Sequence, residues 1–219
     1  MLDEFNQPRH LHSGQRGPAP DPAISVFINC PFDSDYAPLF DAIVFACVSC
    51  GFVPRSALES GSTSQPRMER IMGAIFTSDY SIHDLSRCRG EGDEQLARFN
   101  MPLELGMAMA RRYSTSQRKK TRHDWLVLVP QQHSYIKYLS DLAGVDPKRH
   151  DGTQKVVVEK VVSWLATRGN ATFTPTNPKQ VMKCLPRFHA KMKKLKGRWG
   201  EEVPWPDMIQ AARQVVPIP

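Results

Sequence analysis

At 219 residues the chain is long enough for one α/β domain with a substantial core plus an appendage, and too short for two large domains. Its 41% hydrophobic and 23% charged residues are the make-up of a soluble globular protein, and no apolar run approaches the roughly 20 residues of a membrane span. The formal net charge of +7 biases it toward anionic partners such as nucleotides or nucleic acid and excludes little else.

Residues 1–23 hold Pro8, Gly14, Gly17, Pro18, Pro20 and Pro22 with few apolar side chains, so they read as a flexible arm that cannot bury enough surface to offset its ordering entropy. The polar start, with Asp3 and Glu4, is unlike a secretory signal, and the expected location is cytoplasmic. Order begins with a β-branched and aromatic strand at 24–28, bounded by Pro22 and by Asn29-Cys30-Pro31. A helix follows over 36–50, where Leu39, Ile43, Val44, Ala46 and Cys47 recur at helical spacing and Gly51 stops the run.

A short strand at 52–56 precedes a helix at 67–77, in which Met68, Ile71, Met72 and Ile75 keep the three-and-four spacing of a one-sided helix. A third strand covers 80–85, and a polar loop runs from Ser86 to Arg98. The next helix covers 101 to about 112. Asn100 is its expected N-cap, Pro102 is tolerated in its first turn, and Glu104 falls at the positive end of its dipole, which favours the ionised carboxylate.

The clearest strand is 125–129; a short helix near 134–142 comes next, then an irregular stretch through His150 with room for a fifth, short strand. A helix over 153–167, with Val157, Val161, Val162 and Leu165 on its apolar side, closes a domain spanning 24–170. Alternating strand and helix implies a doubly wound parallel sheet of about five strands, covered on both faces. The remainder, 175–219, reads as a helical extension: Val181, Leu185, Phe188, Met192, Leu195 and Trp199 form one stripe, and Pro186 is expected to divide it into two helices docked on the domain. A partner-binding helix is the sharper alternative.

Two basic clusters carry much of the charge: Arg111, Arg112, Arg118, Lys119, Lys120 and Arg122, then Lys179, Lys183, Arg187, Lys191, Lys193, Lys194, Lys196 and Arg198. They read first as solvated helix faces, with nucleic-acid binding as the weaker alternative, since no known nucleic-acid motif accompanies them. Five cysteines form no disulfide pattern, and Cys47-Val48-Ser49-Cys50 has redox or zinc spacing without a second pair or a nearby His, so buried helical thiols are the expectation.

In an open parallel sheet, ligands bind beyond the carboxyl ends of the strands where strand order reverses, which in the flavodoxin-like order is between the first and third strands. The first strand empties into Cys30-Pro31-Phe32-Asp33-Ser34-Asp35-Tyr36, and the third ends at His83-Asp84-Leu85-Ser86-Arg87 and leads to Glu104. A fixed carboxylate there suits reactions in which positive charge develops on a sugar, either stabilising an oxocarbenium-like carbon or attacking it. Glu104 is the catalytic candidate. Asp84 is placed to orient a ribose hydroxyl or act as acid, and Asp33, Asp35, Arg87 and Asn100 to contact substrate. Each has a bland alternative: Glu104 complementing a dipole, Asp84 capping a turn, Asp33-Ser34-Asp35 capping the helix from Tyr36, and His83 packing inside.

The strand ending in Asp84, followed by Phe99-Asn100-Met101-Pro102-Leu103-Glu104-Leu105-Gly106-Met107-Ala108, resembles the nucleoside 2-deoxyribosyltransferase family, in which a Glu-Leu-Gly-x-Ala segment supplies the nucleophilic glutamate. The layout is also similar to Toll/interleukin-1 receptor (TIR) domains, whose bacterial members often cleave NAD with a helix-borne glutamate. Asn100-Met101-Pro102 and the first loop depart from both patterns. The resemblance spans about residues 24–167 and implies a flavodoxin-like fold, an N-glycosidase or transferase acting on a nucleotide, assembly into a homo-oligomer or with a partner protein, and a setting in antiviral defence. Nicotinamide leaves NAD as a neutral molecule from a cationic ring, so a single carboxylate suffices and NAD is the preferred substrate. It would be a substrate; no cofactor and no metal is expected. A non-catalytic nucleotide-binding or signalling module of the same fold is the alternative.

Overall fold

A computed structural model describes residues 24–59, 61–88, 99–114, 123–130, 139–142, 144–168 and 176–216. Five strands, β1 (Ser25–Asn29), β2 (Val53–Ser56), β3 (Tyr80–Asp84), β4 (Asp124–Pro130) and β5 (Lys148–His150), pair in parallel in the order β2-β1-β3-β4-β5. This is the flavodoxin-like doubly wound order, with its reversal between β1 and β3. Four helices belong to the winding: α1 (Ala37–Ser49), α2 (Arg67–Thr77), α3 (Asn100–Ser114) and α4 (Gln154–Ala166). Two more, α5 (Pro178–Trp199) and α6 (Trp205–Arg213), follow.

Alternate strand residues face opposite layers, as the pleat requires. Val26, Ile28, Ile82, Leu126 and Leu128 join the larger core beneath α1 and α4, whereas Phe27 packs with Ile71, Ala74 and Ile75 of α2 and Ala108 of α3. Val127 and Val129 meet Met101 and Leu105 of α3 in a third cluster. Helix α1 is apolar around most of its circumference, and its residues from Leu39 to Val48, Asp41 excepted, are buried, the fate of a helix with no polar face.

The extension shares the larger core. Val181, Leu185, Phe188 and Met192 of α5 and Met208, Ile209, Ala211 and Ala212 of α6 pack on α1 and α4, with Phe188 stacked on Phe45 at 5.2 Å. Pro186 does not split α5. The 22-residue helix runs through it, with Pro186 on the solvent side, where water can meet the carbonyl its missing N–H leaves unbonded. A capping box starts α5: Asn177 accepts from the Gln180 N–H at 3.0 Å while the Gln180 side chain accepts from the Asn177 N–H.

Helix α3 begins earlier than expected. The Leu103 N–H donates to the Phe99 carbonyl at 3.1 Å, so Asn100 is already helical and exposed rather than an N-cap, and no acidic residue falls in the first turn. Residues 140–142 form a single 3-10 turn. The expected arm at 1–23, most of the loop at 89–98 and the front of the short helix near 134–142 lie outside the described residues. Among the described residues no helix is long and apolar enough to cross a membrane.

Candidate active site

Four strands of the sheet end in a buried polar side chain, Asn29, Ser56, Asp84 and His150. Buried polar groups need partners. Asp84 is fully buried, accepts three hydrogen bonds and has His150 within ion-pair distance. The Tyr36 hydroxyl and the His150 Nε2 (3.1 Å) meet Oδ2, and the Ser86 N–H (2.8 Å) and hydroxyl meet Oδ1. The Gly152 N–H donates to His150 Nδ1 at 3.1 Å, and His150 Nε2 also lies 3.3 Å from the Ser86 hydroxyl. The network ties the end of β3 to the start of α1 and the end of β5. Burial first, then the Asp84 carboxylate, pushes the Tyr36 hydroxyl well above the usual range.

On the other face of β3, Asn29 holds the start of α3 in place. Its amide donates to the Met101 carbonyl and to His83 Nδ1, both at 2.9 Å. His83 Nε2 then donates to Ser81 Oγ (2.8 Å), and Ser81 Oγ to His123 Nε2 (2.9 Å). Desolvation lowers His83 to about 3 and His123 to about 4, so both rings are neutral links of a buried chain. His83 therefore packs inside.

Glu104 is 5% exposed, and among the described residues no hydrogen-bond or ion-pair partner meets its carboxylate. Burial raises it from 4.5 to about 7, against the opposing field of Arg67 at the start of α2. The dipole argument predicted an ionised group; the early helix start puts Glu104 past the first turn, where that field has faded, and desolvation wins. Cys30 directly follows β1 and is buried. Burial, then Asp84, Glu104 and Asp33 in that order, push the Cys30 thiol well above its usual value.

Asp33 and Arg87 are brought to the same strand ends but engage each other, Arg87 Nη2 to Asp33 Oδ1 at 3.1 Å and Nε to Oδ2 at 3.3 Å. Asp33 also accepts the Tyr36 N–H at 3.0 Å, capping the turn into α1. Asp35 and Asn100 are exposed. Arg111 and Arg112 lie about 10 Å further along α3. There Arg111 donates to the Ile75 carbonyl (2.7 Å), while Arg112 donates to Asp124 (3.0 Å) and covers the Trp125 ring. Cys47 and Cys50 are free, buried thiols.

Of three surface cavities formed by described residues, of about 1010, 580 and 260 Å³, none is lined by Glu104 or Asp84. The segments after β3 (89–98) and β4 (131–138) lie outside the described residues. Among the described residues no group of three His, Cys, Asp or Glu side chains is placed to hold a metal ion. Reasoning from sequence passed over Asn29, Tyr36, Ser86 and His150; a polar residue ending an apolar strand could have found Asn29, whereas Tyr36, Ser86 and His150 carry no local signal and are joined to Asp84 only by the fold. In comparisons with known proteins, no family model matches the chain and no curated protein matches it.

Proposed function

We propose that the protein cleaves the N-glycosidic bond of a nucleotide, with NAD the preferred substrate and Glu104 the catalytic residue. The observation that carries this reading is Glu104 in the helix that follows β3, 5% exposed, with no protein partner for its carboxylate among the described residues, a setting in which burial raises its pKa to about 7. A structural carboxylate is ordinarily satisfied, as Asp84 is.

In this reading the bond from the ribose carbon to the pyridinium nitrogen breaks, its electron pair goes to the ring, and nicotinamide leaves neutral. The ionised Glu104 stabilises the oxocarbenium-like carbon or bonds to it, and water or a second base then takes the sugar. A cationic substrate group beside Glu104 favours the ionised form, offsetting the desolvation that raises its pKa. Asp84, saturated by internal donors, and Asn29, anchoring the Met101 carbonyl, are positioning residues: they fix the strand end and the first turn of α3 behind Glu104. Arg87 and Asp33 stand at the rim, where a phosphate could compete for the guanidinium.

Assembly into a homo-oligomer is supported by Met68, Met72 and Phe76, which recur every fourth residue along α2 and stay exposed. A defence role rests on the family resemblance alone.

The test is base release from NAD and a nucleotide panel, across a range of protein concentrations, by the parent and by Glu104→Gln. Release should fall by about 10²–10⁴-fold in the variant, and the parent's kcat/KM should rise with pH through about 7. Undiminished release by the variant removes Glu104 from the mechanism. The second reading is a nucleotide-binding module of the same fold without catalysis. Nucleotide binding without release by either protein selects it.

A further inference from the structure

Helix α5 contains eight Lys and Arg residues and no Asp or Glu. At 100° per residue, Lys179, Lys183, Arg187, Lys191, Lys194 and Arg198 fall within about a third of the circumference, opposite the buried stripe of Val181, Leu185, Phe188 and Met192. All but Lys191 are exposed. Among the described residues none of these exposed cations forms a salt bridge; Lys191 donates to the Gln214 side chain at 2.7 Å, and only Lys196, off the stripe, meets a carboxylate, that of Glu201 at 2.8 Å. Like charges four residues apart repel, by about 0.2–0.5 kcal/mol per pair in isolated helices, so the stripe is unfavourable to the fold that carries it.

The stripe is not flat. At its C-terminal end Lys191, Lys194 and Arg198 line the 260 Å³ groove between α5 and α6 with one carboxylate, Asp207, and at its N-terminal end Lys179 shares the 1010 Å³ groove with Lys160, Lys148 and one carboxylate, Glu159. The exposed cations extend about 29 Å along the helix, a little less than one turn of B-form duplex. We infer that the α5 stripe is a docking surface for the phosphodiester backbone of a nucleic acid, bound without regard to base sequence.

The geometry favours this over the other polyanions. A membrane-bound amphipathic helix inserts its apolar face, and that of α5 is committed to the core. A duplex offers a row of phosphates to a stripe of cations and needs no apolar contact. Trp199, 46% exposed beside the Arg198 guanidinium, adds a ring at the end of the track.

The experiment is fluorescence anisotropy of the full chain with a labelled mixed-sequence DNA duplex two turns long, titrated from ~50 to ~200 mM salt. The parent is compared with Lys183→Gln/Arg187→Gln and with an equally discharged control away from the stripe, Lys155→Gln/Arg213→Gln. The stripe variant should flatten the slope of log K against log salt by about 1.8, two phosphate contacts at ~0.9 each, and weaken binding tens-fold near 0.1 M salt. The control should match the parent. Glutamine keeps the helix propensity of lysine, and thermal melting of the stripe variant at or above the parent's temperature verifies that it folds. No duplex binding at ~50 mM salt, equal slopes for variant and control, or tighter binding to phosphatidylserine vesicles or polyglutamate than to the duplex would each overturn the proposal.

Discussion

Glu104 shows how two effects of opposite sign are ranked by size. A helix dipole lowers a first-turn carboxyl by about 0.3–1 kcal/mol at an exposed site, whereas moving from 4.5 to about 7 corresponds to about 3 kcal/mol of differential desolvation. The folded chain therefore holds its proton more tightly than the unfolded chain. Between pH 4.5 and about 7 the native state binds more protons, so stability falls as pH rises through that window, and the full cost is present above it. Glu104→Gln mimics the protonated group at every pH. It should stabilise the protein by up to about 3 kcal/mol in urea denaturation at pH 8, with the gain vanishing below pH 4.5. A gain that does not depend on pH would mean that the carboxylate is not desolvated. A substitution that stabilises the fold while abolishing base release would mark Glu104 as a group kept for function.

At the scale of elements, α5 pits a local rule against burial. Proline inside a helix costs about 3 kcal/mol, and a sequence reader accordingly breaks the helix there. The helix continues because four apolar side chains on both sides of Pro186 reach the same core, each contributing roughly 1.5–3 kcal/mol, and a break would swing two of them away. Pro186 itself faces solvent, so restoring its N–H introduces no clash. Pro186→Ala should raise stability by about 2–2.5 kcal/mol, the helix gain less the entropy the proline removes from the unfolded chain, read as a shift in denaturation midpoint. Destabilisation would show a bend at Pro186 that the packing requires. Helices α1, α2 and α4 were legible to within a residue or two at each end from their periodicity, although of the expected α2 stripe only Ile71 and Ile75 are buried while Met68 and Met72 stay exposed; α4 opens on Thr153, whose side chain accepts from the Val156 N–H.

Over the whole molecule, the appendage expected from composition is part of the core. Phe188 of α5 stacks on Phe45 of α1, and Trp205 at the start of α6 lies 6.2 Å from Phe40. Phe188→Ala should cost about 3–5 kcal/mol and leave a single cooperative transition in which far-UV and near-UV signals coincide. Two separated transitions would show that α5 and α6 melt apart from the sheet.

Strand and helix order, and with it the parallel sheet, follow from local patterns: short β-branched runs, one-sided apolar helices and the glycine, asparagine and proline stops between them. These interactions are short in sequence, so a linear reading recovers them. The strand ends that frame the site were legible for the same reason, since strand order implies where the sheet reverses. Side-chain state was not. Asp84 meeting Tyr36 and His150, Asn29 gripping the Met101 carbonyl, Arg87 closing on Asp33, and Glu104 left desolvated all depend on groups far apart in the chain. Desolvation and hydrogen-bond partnership are properties of surroundings assembled in three dimensions, and no local pattern of residues encodes them.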